Sequence, residues 1–127
     1  MFDEENKLPE SVVILFRNAP YGTVFNAEGF RVCTGLTALD VETQAVFLDD
    51  AVYTLLKGQM PEEIHMGDLS KGIAPMIEFE VSVYVIKESL DERGINEDEL
   101  IENDEIQFIS KGELSKLIAE ADATFSI

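Results

Sequence analysis

Thiol chemistry has a single possible source in this chain, Cys33, its only cysteine. An exposed thiolate there could attack a disulfide or accept a sulfane sulfur as a persulfide, given a lowered pKa and an accessible sulfur. One cysteine excludes an intramolecular disulfide and any metal site built from several thiolates. His65, the only histidine, has the side chain best suited to shuttle a proton near neutral pH, but no second histidine joins it as a metal ligand. Asp49 and Asp50 follow an apolar run. They could supply a base or hold a hard cation, and one of them could equally cap the helix that follows. Arg17, Asn18, Tyr21 and Thr23 could line a polar pocket, with Asn18, Tyr21, Asp49 and Asp50 as its small-ligand candidates. Such residues also shape turns and subunit contacts. The stretch RNAPYGTVFNAEG has neither the G-x-x-x-x-G-K-[ST] nor the G-x-G-x-x-G phosphate pattern, and no cofactor is implied.

Hydrophobic periodicity supplies the frame that must position these groups. VVILF at 12–16 reads as a strand covered on both faces. A helix over 23–39 follows, with Phe25, Gly29, Val32, Leu36 and Leu39 as its buried stripe. Gly29 and Gly35 each weaken it by about 1 kcal/mol relative to alanine, which close approach of a neighbouring backbone would offset. Cys33 falls about ten residues inside, too far from the helix start to feel its dipole, and its apolar neighbours point to burial. A second strand at 45–48 ends at Asp49 and Asp50, the edge where α/β sheets bind ligands. A short amphipathic helix is expected over 51–57 and an irregular connection over 58–67. Asp68 can cap a helix carrying Leu69, Ile73, Met76 and Ile77, which Pro75 either shortens or kinks. A strand at 80–86, a helix at 87–93 closed by Gly94, and a strand at 106–109 come next. Ser110 and Glu113 have capping-box spacing ahead of Leu114, Leu117, Ile118 and Ala121, and a strand at 124–127 ends the series. The alternation predicts one domain over residues 1–127: a three-layer α/β/α fold with a mainly parallel five-stranded sheet, right-handed crossovers, and a flexible acidic segment at 1–10.

Composition narrows the partners. Asp and Glu number 26 against 9 Lys and Arg, a net charge of −17, while 46% of the residues are hydrophobic. That is a folded acidic domain rather than a disordered tail. Nucleic-acid backbones and anionic membranes are repelled by such a body. No apolar run reaches the length of a membrane span, and the first ten residues lack the pattern of an export signal, so a cytoplasmic protein is expected. Between Glu88 and Glu105 the acids are opposed only by Arg93, an array that serves as a solvated face or as a dock for a basic protein.

Three stretches carry a resemblance: RNAPYGTVFNAEG, FLDDAVYTLLKGQMPE and VYVIKESLDERGI. In this order, over nearly the whole chain, they resemble the DsrE/DsrF-like sulfur-relay superfamily, most of all its DsrF/TusC branch. The middle stretch discriminates best. The resemblance implies a small parallel-sheet α/β fold and assembly as trimers or hexamers, homomeric or heteromeric. In sulfur-transferring members it implies a cysteine near the end of the strand that here reads VSVYVI. That thiol would fall at Ile86, which has no nucleophile. The implied role is therefore a non-catalytic subunit or adaptor for thiol-to-thiol relay by a cysteine-bearing DsrE/TusD-like partner. Val52, Tyr53, Leu55 and Leu56 of the middle stretch would pack within the fold or across subunits. The implied destination of the sulfur is either tRNA wobble-uridine thiolation or sulfur oxidation. Two alternatives stand beside this: a sulfurtransferase using Cys33, and a homo-oligomeric small-ligand binder.

Overall fold

The computed structural model describes residues 8–22, 24–59 and 68–127. Its elements are β1 (Ser11–Phe16), α1 (Phe25–Ala38), β2 (Glu42–Phe47), a 3-10 helix (Asp49–Leu55), a 3-10 turn (Leu69–Gly72) running into α2 (Ile73–Glu78), β3 (Ser82–Ile86), α3 (Lys87–Glu92), a 3-10 turn (Glu97–Glu99), β4 (Ile106–Ile109), α4 (Lys111–Glu120) and β5 (Ala123–Ser126). The five strands form one parallel sheet in the order β4-β3-β2-β1-β5. Of the expected flexible segment, residues 1–7 lie outside the described residues, and the Glu10 amide is held by the Asp122 carboxylate at 2.7 Å.

This order fixes the layers. From β1 to β4 the chain steps in one direction, so right-handed crossovers place α1, α2 and α3 on the same face. The step from β4 to β5 reverses direction and puts α4 on the other face. Side chains alternate accordingly. Val12, Ile14, Phe16, Ala45, Phe47, Val83 and Val85 pack with Cys33, Ile73, Met76 and Leu90 on one side. Val13, Val46, Ile86 and Ile109 pack with Leu114 and Leu117 on the other. Both faces are covered, which is why VVILF is apolar at successive positions.

The inner face of α1 differs from the stripe its periodicity suggests. Asn26, Gly29 and Cys33 are its buried residues, whereas Phe25, Val32 and Leu39 are 52%, 44% and 58% exposed. Packing space decides this. A Cβ on Gly29 would stand 2.3 Å from Cε1 of Phe16, so the helix sits close only because that position is bare. Phe16 in turn stacks on Phe47 at 4.7 Å and meets Phe30 at 5.6 Å. The offset for the glycine is thus a ring cluster and not a neighbouring backbone.

Helix ends follow local rules. Ser110 Oγ accepts from the Glu113 amide at 3.1 Å, completing the expected capping box at α4. Asp68 caps a 3-10 turn rather than an α-helix, accepting from the Ser70 amide at 2.9 Å. Pro75 lies in the first turn of α2, where a missing amide hydrogen costs no intrahelical bond, so the helix is late rather than kinked. The segment expected as a helix over 51–57 is the 3-10 helix Asp49–Leu55.

The helices α1, α2 and α3 end in the same way. Asp40, Glu80 and Gly94 adopt φ of 61°, 70° and 65°. The amides of Val41, Val81 and Ile95 then return to Leu36, Met76 and Leu90. Each is a Schellman turn that delivers an apolar residue into the core. Only one of the three uses glycine, the residue that reaches positive φ without steric cost. Asp40→Gly and Glu80→Gly are each expected to stabilise the fold by about 1 kcal/mol, read as a higher urea midpoint at unchanged slope. A lower midpoint would show that these carboxylates do more than occupy the turn.

Candidate functional site

The parallel sheet brings Arg17, Asn18, Asp49, Asp50, Ile86, Glu88 and Lys111 to its carboxyl edge, because each follows or ends a strand. What they do there differs from the sequence expectation in several places. The 3-10 helix after β2 has Leu48 as its N-cap and no side-chain cap, so neither Asp49 nor Asp50 caps it. Asp49 instead adopts φ 52°, donates its amide to Ser89 Oγ at 2.9 Å, and accepts from Arg17 Nε at 3.1 Å. Asp50 accepts from Arg93, with Nε at 3.1 Å and Nη2 at 3.0 Å. The adjacent carboxylates thus pair with different arginines.

The pocket proposed around Asn18 and Tyr21 is tied up in the same manner. Asn18 Nδ2 donates to the Ile127 carbonyl at 2.9 Å. Tyr21 donates to Gln59 Oε1 and accepts from the Leu69 amide at 3.4 Å. Gln59 Nε2 donates to the carbonyls of Thr54 and Leu56, both at 2.9 Å. Asn18, Tyr21, Asp49 and Asp50 therefore each serve a separate tether. Asn26, unremarked in the sequence, is fully buried. Its Nδ2 donates to the carbonyls of Asn18 and Ala19, which fixes the turn between β1 and α1. Its Oδ1 has no hydrogen-bond partner among the described residues.

Cys33 is fully buried against the sheet. Burial alone pushes its thiol up to about 12. At pH 7 the thiolate is then on the order of one molecule in 10⁵. Ile86 is fully buried too, packed with Val13, Val46, Ile109 and Leu114 beneath α4. Beside it, the Glu88 carboxylate accepts the Lys111 amide at 3.1 Å to each oxygen. That bond holds the Glu88 carboxyl below its usual range and clamps α3 to the start of α4. Capping between helices distant in sequence leaves no local pattern by which to find it.

Of the four residues expected to pack within the fold or between subunits, Val52 and Leu55 are fully buried in the core of this chain. Tyr53 and Leu56 are half-buried. Leu56 also bridges to Leu100, and the Lys57 amide donates to Glu99 at 3.0 Å, stitching this segment to the acidic turn. In that turn Glu97, Asp98, Glu99, Glu102, Asp104 and Glu105 are exposed. Arg93, the one base in the acidic run, is committed to Asp50 and Glu92. His65 lies outside the described residues. Among the described residues no group of three His, Cys, Asp or Glu side chains could hold a metal ion, and no helix is long and apolar enough to cross a membrane.

Residues 10–127 match the DsrE/DsrF-like family. The chain is 31% identical over 134 residues to the intracellular sulfur oxidation protein DsrF of Allochromatium vinosum, covering 95% of this chain and 98% of that one. It is 37% identical over 92 residues to a TusC homolog of Vibrio parahaemolyticus, covering 68% and 75% of the two chains. The crystal structure of the ychN protein from E. coli superposes with a TM-score of 0.80 at 24% identity, over 93% of this chain and 99% of the other. That likeness is one of fold.

Proposed function

This chain belongs to the DsrE/DsrF-like family, and we propose that it is a non-catalytic DsrF/TusC-like subunit of a cytoplasmic sulfur relay, organising a cysteine-bearing DsrE/TusD-like partner in a trimeric or hexameric complex. The observation that carries this reading is the burial of its single thiol. In a relay, an acceptor thiolate attacks the outer sulfur of a donor persulfide. A new S–S bond forms as the donor S–S bond breaks, and the donor leaves as a thiolate, with no net oxidation. The attacking sulfur must be ionised and exposed. Cys33 is neither, and Ile86, at the position the family resemblance gives to the acceptor, is an apolar core residue. The chemistry is therefore assigned to the partner.

What this chain contributes is an edge with cross-tied loops. Ties from Arg17 to Asp49, Arg93 to Asp50 and Glu88 to Lys111 join the loops at the carboxyl end of the sheet. Half-buried Tyr53 and Leu56 and the acidic turn beside them are the proposed contact region. The sulfurtransferase alternative would need Cys33 brought to the surface, and the ligand-binding alternative would need four tethered side chains released.

The test is to mix the protein with a cysteine-bearing homologue, measure the native mass, and supply a persulfide donor carrying labelled sulfur. A mixed complex labelled on the homologue alone is expected. Label bound by this chain with the homologue absent would overturn the proposal.

A further inference from the structure

The sheet ends at β4, which pairs with β3 and has no strand beyond it among the described residues. Ile106 and Phe108 stand in register with Val83 and Val85, so all four point to the side that α1, α2 and α3 cover. Beside them runs the segment that leads into β4. It is held by the Ile101 amide, which donates to the Leu55 carbonyl at 2.8 Å. Strand and segment leave a groove of about 300 Å³ between them. Its floor is apolar. Leu100 and Ile106 are buried there, while Ile101 and Phe108 are half-buried, packed on the core yet lining the groove. Its walls carry Glu97, Asp98, Glu102 and Asp104, all exposed, against one base, Lys57, at 3.9 Å from Glu102.

Floor and walls together select the occupant. A second copy of this chain brings 26 acids against 9 bases and is repelled at such a rim, as is a nucleic-acid backbone. Among the described residues no three acids are grouped to hold a metal ion. A small polycation would use the walls and leave the floor wet. Lysine and arginine use both, because their methylenes lie over apolar surface while the charged head reaches a carboxylate. The free edge of β4 adds backbone donors and acceptors for an extended chain. Acids beside an open edge keep a second acidic edge away and admit a basic one.

We propose that this groove docks a basic segment of a partner protein, extended along β4, with one apolar side chain over Ile101 and Phe108 and its lysines or arginines on the carboxylates. The proposal deepens the sulfur-relay reading and rests on it only for the choice of contact region. It names the chemistry that a partner must bring to the acidic turn.

Fluorescence anisotropy of a dye-labelled peptide, one leucine between two Lys-Arg pairs, titrated with the full chain tests it. Saturable binding to one site is expected at about 0.05 M NaCl, at least tenfold weaker at about 0.5 M. Asp98→Lys and Asp104→Lys are each expected to weaken it about fivefold with unchanged circular dichroism. Glu120→Lys, on α4, alters the net charge equally and is expected to change it less than about twofold. Serine in place of the peptide's leucine is expected to cost at least about fivefold. That comparison leaves the protein untouched, so no misfolded variant can mimic it. Absence of saturable binding, equal binding of the serine peptide, or a loss in Glu120→Lys as large as in the groove variants would overturn the proposal. No sulfur is transferred in this experiment, so its failure leaves the labelling test of the relay standing, and a failed labelling test leaves the groove standing.

Discussion

Between pH 9 and pH 12 the wild-type protein is expected to lose about 4 kcal/mol of stability that Cys33→Ala does not lose. The cause is the Cys33 thiol, which burial carries from 9.0 to about 12. Above pH 9 the unfolded chain releases this proton while the folded chain keeps it. The folded state then binds more protons than the unfolded state, and stability falls as pH rises. Below pH 9 the contribution is fully present, and through the folded pKa it is lost. Three pH units at about 1.4 kcal/mol each give the expected size. At neutral pH the alanine variant is the weaker protein by about 1 kcal/mol, having lost a buried sulfur. The two stability curves therefore cross near pH 10. Urea unfolding of both proteins at pH 8, 9, 10 and 11 measures this. Parallel curves would mean that the folded thiol ionises like a solvated one, and the sulfurtransferase reading would regain its main requirement.

Gly29→Ala is expected to destabilise the fold by about 1–3 kcal/mol, although alanine is the better helix former. The added methyl would have to displace the Phe16 ring, which stands 2.3 Å away at Cε1 and 2.8 Å at Cζ. That ring is fully buried and stacked on Phe47, so it has no free direction in which to move. Gly112→Ala is the control. A Cβ there meets only Ser110 Oγ at 3.7 Å, an ordinary contact, and the helix gains up to about 1 kcal/mol. Thermal or urea midpoints of the two variants should therefore move in opposite directions. If Gly29→Ala also stabilised the protein, the close approach of α1 to β1, and with it the burial of Cys33 four residues on, would be in error.

The order of elements could be read from the sequence because apolar runs and punctuation coincide. VVILF, the Ser110–Glu113 pair and Gly94 each name a local event that needs no knowledge of the rest of the chain. The inner face of α1 could not be read this way. Its apolar residues Phe25, Val32 and Leu39 define a stripe as regular as a core stripe, and only the bulk of Phe16 turns the helix to present Gly29 and Cys33. Asp49 and Asp50 were misleading for a similar reason. Their spacing suits a cap, but Arg17 and Arg93 reach them from elements 32 and 43 residues away in sequence. The 3-10 helix that follows buries Val52 and Leu55, which α-helical periodicity leaves free to face either way. That Ile86 stands where an acceptor thiol would fall was legible only through the family resemblance, and the single cysteine from residue identity alone.

If the folded chain accepts no sulfane sulfur, the intact mass of the purified protein after exposure to a persulfide donor at pH 8 is the measurement that shows it. The mass is expected to stay unchanged while the protein is folded, with a gain of one sulfur only once urea exposes Cys33. A stoichiometric gain of sulfur on the folded protein, abolished by Cys33→Ala, would contradict it.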